Sequence, residues 1–290
     1  MTNHEELSAM SGERPFENSP RLTLDEISIA GHRKTGGMFR ITKKTLPKDR
    51  DTGFYETEET EKEQTLSVIF LKIRRQLVEK KKEVRKDGGD SFPTIRVTSE
   101  HTSKLDVVSV YDVLAKKFEY CTAEEAREKY PQLRTVQVVY VRYKGRIYRL
   151  LAKGTALGSQ AWDKVSKEEK DKLGMSFYEY LSSFASDEHV YEYFTTLRPV
   201  FEEGANDYWT IRFSRGEKLN EEQMMVVAQN IRELHAFTEQ HDAFVRGKAA
   251  QLAPAVAAAV VADDAFKAIT EEDAPVEYPE AYDDTDAIPF

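Results

Sequence analysis

The chain has 290 residues, 40% of them hydrophobic, with 42 basic against 51 acidic side chains and a net charge of −9. This is enough apolar material to bury a core, and the length points to one principal domain. A net-acidic total argues at first against a nucleic-acid partner; one cysteine, Cys121, excludes an intramolecular disulfide framework and fits a reducing cytoplasm; and the longest apolar run, Leu252 to Ala262, is too short to span a bilayer and contains Pro254.

Residues 1–20 are polar, with Ser, Gly, Pro and Glu among few apolar positions, and read as a disordered N-terminal arm. From 21 to 247 the pattern is mainly β with helical insertions. Alternation predicts strands over Met38–Thr42, Thr65–Leu77, Thr94–Thr98, Leu105–Val110, Val136–Tyr143, Arg146–Ala152 and Tyr208–Phe213, with both faces of Thr65–Leu77 partly apolar. Capping boxes, Thr122 with Glu125 and Ser166 with Glu169, open predicted helices over 122–130 and 166–184. The longest helix is predicted over 220–244, where Met224, Val227, Ile231, Leu234 and Phe237 form one apolar stripe suited to packing on a sheet. Beyond it, Ala and Val dominate to Ala262, and acids with Pro275 and Pro279 follow. We read a linker over 248–275 and a disordered acidic tail over 276–290; alanine's helix propensity makes continuation of the preceding helix the alternative for the Ala-Val run.

Dissecting the charge reverses the first impression. From Asp263 to Phe290 ten carboxylates face Lys267 alone, a local net of −9, so the rest of the chain holds 41 basic residues (42 less Lys267) against 41 acidic ones (51 less ten). An acidic terminal block of this kind marks an interaction tail. Within the body Arg33, Lys34, Arg40, Lys43, Lys44, Lys48 and Arg50 fall in one stretch, and Lys72, Arg74, Arg75 and Lys80 to Lys86 form a second. From Gln132 to Trp162 there is no acid at all. A basic groove is compatible with the acidic total.

The acid-free stretch contains a predicted hairpin with Lys144-Gly145 as its two-residue turn. That register puts Tyr140, Arg142 and Arg149 on one face around Ile147, and Tyr143, Arg146 and Tyr148 on the other beyond Val139, Val141 and Leu150. Rings beside guanidiniums suit single-stranded nucleic acid, because bases stack on aromatic faces while cations neutralise phosphates. Duplex readout would need a recognition helix or zinc finger, and neither is evident. The competing structural reading is a hairpin whose tyrosines cover the core and whose arginines are solvated. Arg33, Lys34, Arg40, Lys43, Lys44, Arg74, Arg75 and Lys144 complete the expected nucleic-acid set. No phosphate loop, metal-binding His pair or nucleophile elbow is present, so no catalytic residue, metal or cofactor is expected.

The chain ends Asp283-Asp284-Thr285-Asp286-Ala287-Ile288-Pro289-Phe290. Pro289 prevents a helix here, leaving an extended peptide whose ring and α-carboxylate can be captured in a pocket while Asp283, Asp284 and Asp286 steer it to a basic surface. The segment resembles the acidic tip of bacterial single-stranded DNA-binding proteins, and the resemblance covers these residues only. It implies a cytoplasmic, non-enzymatic protein that coats single-stranded DNA and recruits replication, recombination and repair enzymes through its tip, with no membrane partner and with an oligomer as a possibility. Together with the strand count, it suggests an OB-fold-like barrel carrying a long C-terminal helix. Two rivals remain: an adaptor that occupies the same partner pockets without binding DNA, and a replication or recombination enzyme localised by the tip.

Overall fold

The computed structural model describes residues 25–32, 36–44, 58–84, 90–158, 165–202 and 208–260. Strands β1 (Asp25–His32), β2 (Gly36–Lys44) and β3 (Glu58–Glu63) precede the long β4 (Leu66–Lys80). The two-residue strands β5 (Glu83–Val84) and β6 (Asp90–Ser91) lead to β7 (Thr94–Thr98), β8 (Val107–Asp112), β9 (Lys117–Thr122) and helix α1 (Ala123–Lys129). The hairpin β10 (Arg134–Tyr143) and β11 (Arg146–Ala152) is followed by α2 (Lys167–Leu173), α3 (Phe177–Ser182), β12 (Tyr193–Glu202), β13 (Tyr208–Lys218) and α4 (Glu221–Val260). Among the described residues no helix is long and apolar enough to cross a membrane.

The main sheet runs β3-β2-β1-β11-β10-β4-β12-β13, with β7, β8 and β9 branching from the far end of β4. β1 pairs in parallel with β11, and the other pairings along this path are antiparallel. The sheet is strongly curled: Ile27, Phe39 and Ile41 from one end of the order share a core with Leu197, Ile211 and Phe213 from the other. The two ends also meet directly, since a Cβ on Gly37 of β2 would lie 2.2 Å from Trp209 Cε3 of β13. Glycine is required there because an indole rests on the backbone. Helix α3 plugs one opening, packing Phe177 and Tyr180 against Phe70 and Phe213 with ring centroids 5.5 to 6.4 Å apart.

β4 organises this arrangement. It shares Leu66–Ile69 with β12 and Val78–Lys80 with β7, and pairs with β10 on its other edge. A register shift opposite Tyr140 and Val141 leaves Leu71 as an extra residue in β4, so Leu66, Val68 and Phe70 face the core of the curled sheet while Ile69 and Leu71 face outward. The outward face is covered by α4, which packs Val227 and Leu234, with Leu219 just ahead of it, onto Ile69, Leu71, Val138 and Tyr140. Burying two such aliphatic side chains on the helix contributes about 1.5–3 kcal/mol each. The branch β7-β8-β9 has its own small core of Leu77, Val108, Val110, Ala123, Ala126 and Leu133.

Every strand predicted from alternation is present, and Thr94–Thr98 and Arg146–Ala152 match residue for residue. The α1 capping box also forms: Thr122 N donates to Glu125 Oε2 at 2.6 Å, and Glu125 N donates to Thr122 Oγ1 at 3.2 Å. Three expectations are corrected. The single helix over 166–184 is two, because Gly174 adopts φ +101° and Met175 pairs with Phe213 through reciprocal backbone bonds of 2.7 and 2.9 Å; Ser176 and Glu179 then cap α3 afresh. Helix α4 continues to Val260, so the first part of the 248–275 segment is helical and not a linker. Finally β1, β3, β9 and β12 were not anticipated. β3 reads Glu-Glu-Thr-Glu-Lys-Glu, an edge strand without an apolar residue, and β12 contains Pro199, tolerated because pairing with β4 has ended at Leu197. The N-terminal arm and the tail from 276 onward, with Asp283 to Phe290, lie outside the described residues.

Candidate nucleic-acid interface

The hairpin forms in the expected register. Tyr143 faces Arg146, Arg142 faces Ile147, Val141 faces Tyr148 and Tyr140 faces Arg149, across a turn in which Lys144 and Gly145 have φ +43° and +80°. Positive φ at both positions is the turn whose twist matches the flanking strands. The face assignments hold as well, but both faces are covered. Tyr143 (8% exposed) and Tyr148 (1%) belong to the core inside the curled sheet, and Tyr140 (4%) lies in the outer cluster with α4. The expectation that these three rings stack on bases is therefore corrected: none presents an open face, because β10 and β11 are central strands with packing on both sides.

Two of the expected arginines are committed to a polar network on the outer face. Arg74, 2% exposed, donates to both oxygens of Asp242 at 2.7 and 3.0 Å and to the Glu100 carbonyl at 2.7 Å. Arg149 donates to Glu100 Oε1 at 3.0 Å and Gln76 Oε1 at 2.8 Å, while Tyr140 Oη donates to Glu100 Oε2 at 2.5 Å. Burial, then the Glu100 carboxylate, push the Tyr140 phenol well above its ordinary range, which keeps it a donor. Lys72 donates to Thr238, and burial followed by the charge of Arg74 pulls its ammonium down. Asp242 and Thr238 lie on α4, so Arg74 and Lys72 fasten the helix to the sheet, while Arg149 is held by Glu100 and Gln76. The expected role of Arg74 and Arg149 in strand contact is corrected accordingly.

The remaining expected residues divide. Lys43 pairs with Glu61 at 2.6 Å, Lys144 with Glu61 and Glu63 at 3.2 and 3.1 Å, and Arg146 with Asp25 at 2.8 Å. The pairs of Lys43 and Lys144 are exposed or half-exposed and worth little to stability, whereas Arg146 holds the buried Asp25; the Lys144 and Arg146 side chains are themselves exposed. Arg142 is half-buried on the outer face. Arg75 is exposed but points to the other side of the sheet, in line with Gln137. Arg33 and Lys34 lie outside the described residues, as does the side chain of Lys44. Arg40 is exposed on the outward face of β2, opposite to Phe39 and Ile41 in the core.

Register places Arg40 between Ser28 of β1 and Lys62 of β3, so two exposed cations stand directly opposite one another. Like charges in that position destabilise a sheet. Thr42 and Thr60 form the next row on the same face, beyond Glu26. At the end of β11 the exposed Lys153 lies beside Lys80; desolvation first and the charge of Lys80 second pull its ammonium down to about 8, while Glu26 acts in the other direction. Lys62 was hidden from sequence reasoning among the acids of β3. Lys153 was visible in the acid-free run, but nothing in the sequence distinguished it. The outward face of β1-β2-β3 thus carries the facing cations Arg40 and Lys62, whereas the three rings of the hairpin are covered.

No family model, curated protein or solved structure matches the chain. Among the described residues no cluster of three or more His, Cys, Asp or Glu is placed to hold a metal ion.

The network makes a direct prediction. Asp242→Ala removes the main partner of a buried guanidinium, and should lower unfolding stability by on the order of 3 kcal/mol. Chemical denaturation measures this; a loss below about 0.5 kcal/mol would mean that Arg74 is satisfied without α4.

Proposed function

We propose that the protein binds single-stranded DNA along the outward face of β1, β2 and β3 and uses its C-terminal tip to recruit proteins acting on that DNA. The observation that carries the strand-binding half is the facing pair Arg40 and Lys62, extended by the contact of Lys80 with Lys153. A polyanion laid across this face turns mutual repulsion into attraction. Strand order supports an OB-like reading: β4, β10, β11, β12 and β13 form a curled sheet in which one long bulged strand pairs with both the second and the fourth, and a helix between the third and fourth plugs the barrel. In such barrels the second and third strands offer the ligand face. Here α4 occupies it, and the parallel strand β1 continues the sheet beyond the helix, which moves the proposed track sideways onto β1-β2-β3.

The recruiting half rests on Asp283, Asp284, Asp286, Ile288, Pro289 and Phe290, whose order resembles the tips of bacterial single-stranded DNA-binding proteins. One observation favours a second reading. The burial of Tyr140, Tyr143 and Tyr148 removes the stacking platform, and an adaptor that presents the tip without binding DNA needs none.

Titration with fluorescent oligo-dT at several salt concentrations, beside a duplex of equal length, separates these readings. Strand binding predicts preference for the single strand and a linear fall of log affinity with log salt. Arg40→Ala and Lys62→Ala should each flatten the slope by about 0.7. Parent-like slopes in both folded variants would remove this face from consideration, and absence of parent binding at low salt would leave the adaptor.

Lys153 adds a pH signature. A phosphate near its ammonium favours the charged form, so binding takes up a proton once the free side chain begins to lose its own. Affinity should therefore fall as pH rises through about 8, the value to which Lys153 is drawn, and Lys153→Arg should make the profile flat over that range. An unchanged profile in Lys153→Arg excludes this lysine from the track.

For the tip, Phe290→Ala removes the apolar anchor and retains every side-chain charge. Pull-down of proteins that bind such tips should collapse, while oligo-dT affinity stays within about twofold of the parent, since the ring adds nothing to phosphate neutralisation. Retained recruitment by Phe290→Ala would make the terminal resemblance coincidental.

A further inference from the structure

A separate cleft of about 200 Å³ opens on the core-facing side of β4 and β10, beyond the point where β12 leaves β4. Ile73, Arg75, Thr102, Gln137, Phe177 and Tyr178 line it. Its volume is below the ~300–1,000 Å³ typical of sites that enclose a drug-sized ligand, so it suits one ring system belonging to a larger molecule.

Tyr178 sets the character of this cleft. Its helix neighbours Phe177 and Tyr180 are 1% and 0% exposed, yet Tyr178 is 48% exposed. The ring is nevertheless held: Gln137 Nε2 donates to its Oη at 3.0 Å, and Phe177 packs edge-on at 5.6 Å. Gln137 is itself 3% exposed, so the hydrogen bond anchors the ring from inside the sheet. An exposed aromatic in a fixed orientation loses little entropy on stacking.

Arg75 supplies the charge. It stands opposite Gln137 in the β4-β10 register, and reciprocal backbone bonds to His101 of 2.7 and 2.9 Å hold its strand in place. Its side chain is exposed, and among the described residues no carboxylate lies within ion-pair distance of it. This differs from adjacent Arg74, whose guanidinium is spent on Asp242. A held ring beside a free guanidinium is the pairing that recognises a base and its phosphate.

We propose that this cleft takes one base of a bound single strand, stacked on Tyr178, with the neighbouring phosphate on Arg75. The inference rests on the strand-binding reading above and extends it: a strand crossing β1-β2-β3 gains a second contact point on the other side of the sheet, and oligonucleotides long enough to reach both should bind more tightly than short ones.

The test combines affinity with placement. Oligo-dT affinity is measured for the parent, Tyr178→Ala, Tyr178→Phe and Arg75→Ala, and 5-iododeoxyuridine-substituted oligo-dT is photo-crosslinked to the parent and mapped by peptide mass spectrometry. Tyr178→Ala should weaken binding of long oligonucleotides about 5- to 150-fold, the equivalent of the ~1–3 kcal/mol carried by one stacked base. Tyr178→Phe keeps the ring and should stay within about threefold. Arg75→Ala should lower the salt slope by about 0.7, and the crosslink should map to Tyr178. If the parent binds strands and responds to Arg40→Ala and Lys62→Ala, but folded Tyr178→Ala and Arg75→Ala bind as the parent does and the crosslink maps elsewhere, the cleft is overturned and the outer-face reading stands. If the parent binds no strand, both fall together.

Discussion

Strand β4 is covered on both faces, and the molecule is arranged around that constraint. Leu66, Val68 and Phe70 look into the core of the curled sheet, whereas Ile69 and Leu71 look out to helix α4. Where the strand lies under α4 its cations must find partners: Arg74 finds Asp242 and Glu100, and Lys72 finds Thr238, while Arg75 on the other face stays exposed at the cleft. The bulge at Leu71 lets one strand serve the core with one set of residues and the helix with the next. The same strand lends one edge to β10 and divides the other between β12 and β7, so curled sheet, outer helix and branch all meet on it.

This arrangement determines which charges are available. Cations buried beneath α4 are consumed internally, because an unpaired charge there costs several kcal/mol. Those at the margins are bound loosely or repel one another. Arg40 and Lys62 stand across from each other on an edge pair of strands, and Lys80 meets Lys153 where β11 ends. A sheet edge tolerates such placements because water screens them, at a small cost to stability. The physical basis for the nucleic-acid proposal is therefore the placement of particular cations, Arg40 opposite Lys62 above all, and not the sheer number of basic residues.

Helix α4 connects body and tail. It begins directly after β13, crosses the outer face of β4 and β10, and continues to Val260. At 1.5 Å per residue its 40 residues extend about 60 Å. The proposed strand binding and the proposed recruitment are then separable: one would belong to a folded surface with cations on it, the other to a peptide whose anchor and charges lie close together in sequence.

Local periodicity determined much of this chain by itself. Alternation and the Lys144-Gly145 turn specify the β10-β11 hairpin down to the four facing pairs nearest its turn, Thr122 and Glu125 specify the start of α1, and the apolar stripe through Val227 and Leu234 specifies a helix with a sheet to cover. The resemblance of the terminal Ile-Pro-Phe is legible at once, because its residues are consecutive. What lies over each face was decided only by tertiary structure. Tyr140 sits on the predicted side of its strand, but α4 comes to cover that side from far along the chain, as the Arg74–Asp242 pair shows with its members 168 positions apart. Arg40 and Lys62 become neighbours only through the register of β2 with β3, a strand with no apolar signal. Periodicity is a property of successive residues and survives in the sequence; burial and charge pairing depend on which distant segment arrives, and that follows from how the curled sheet closes around its core.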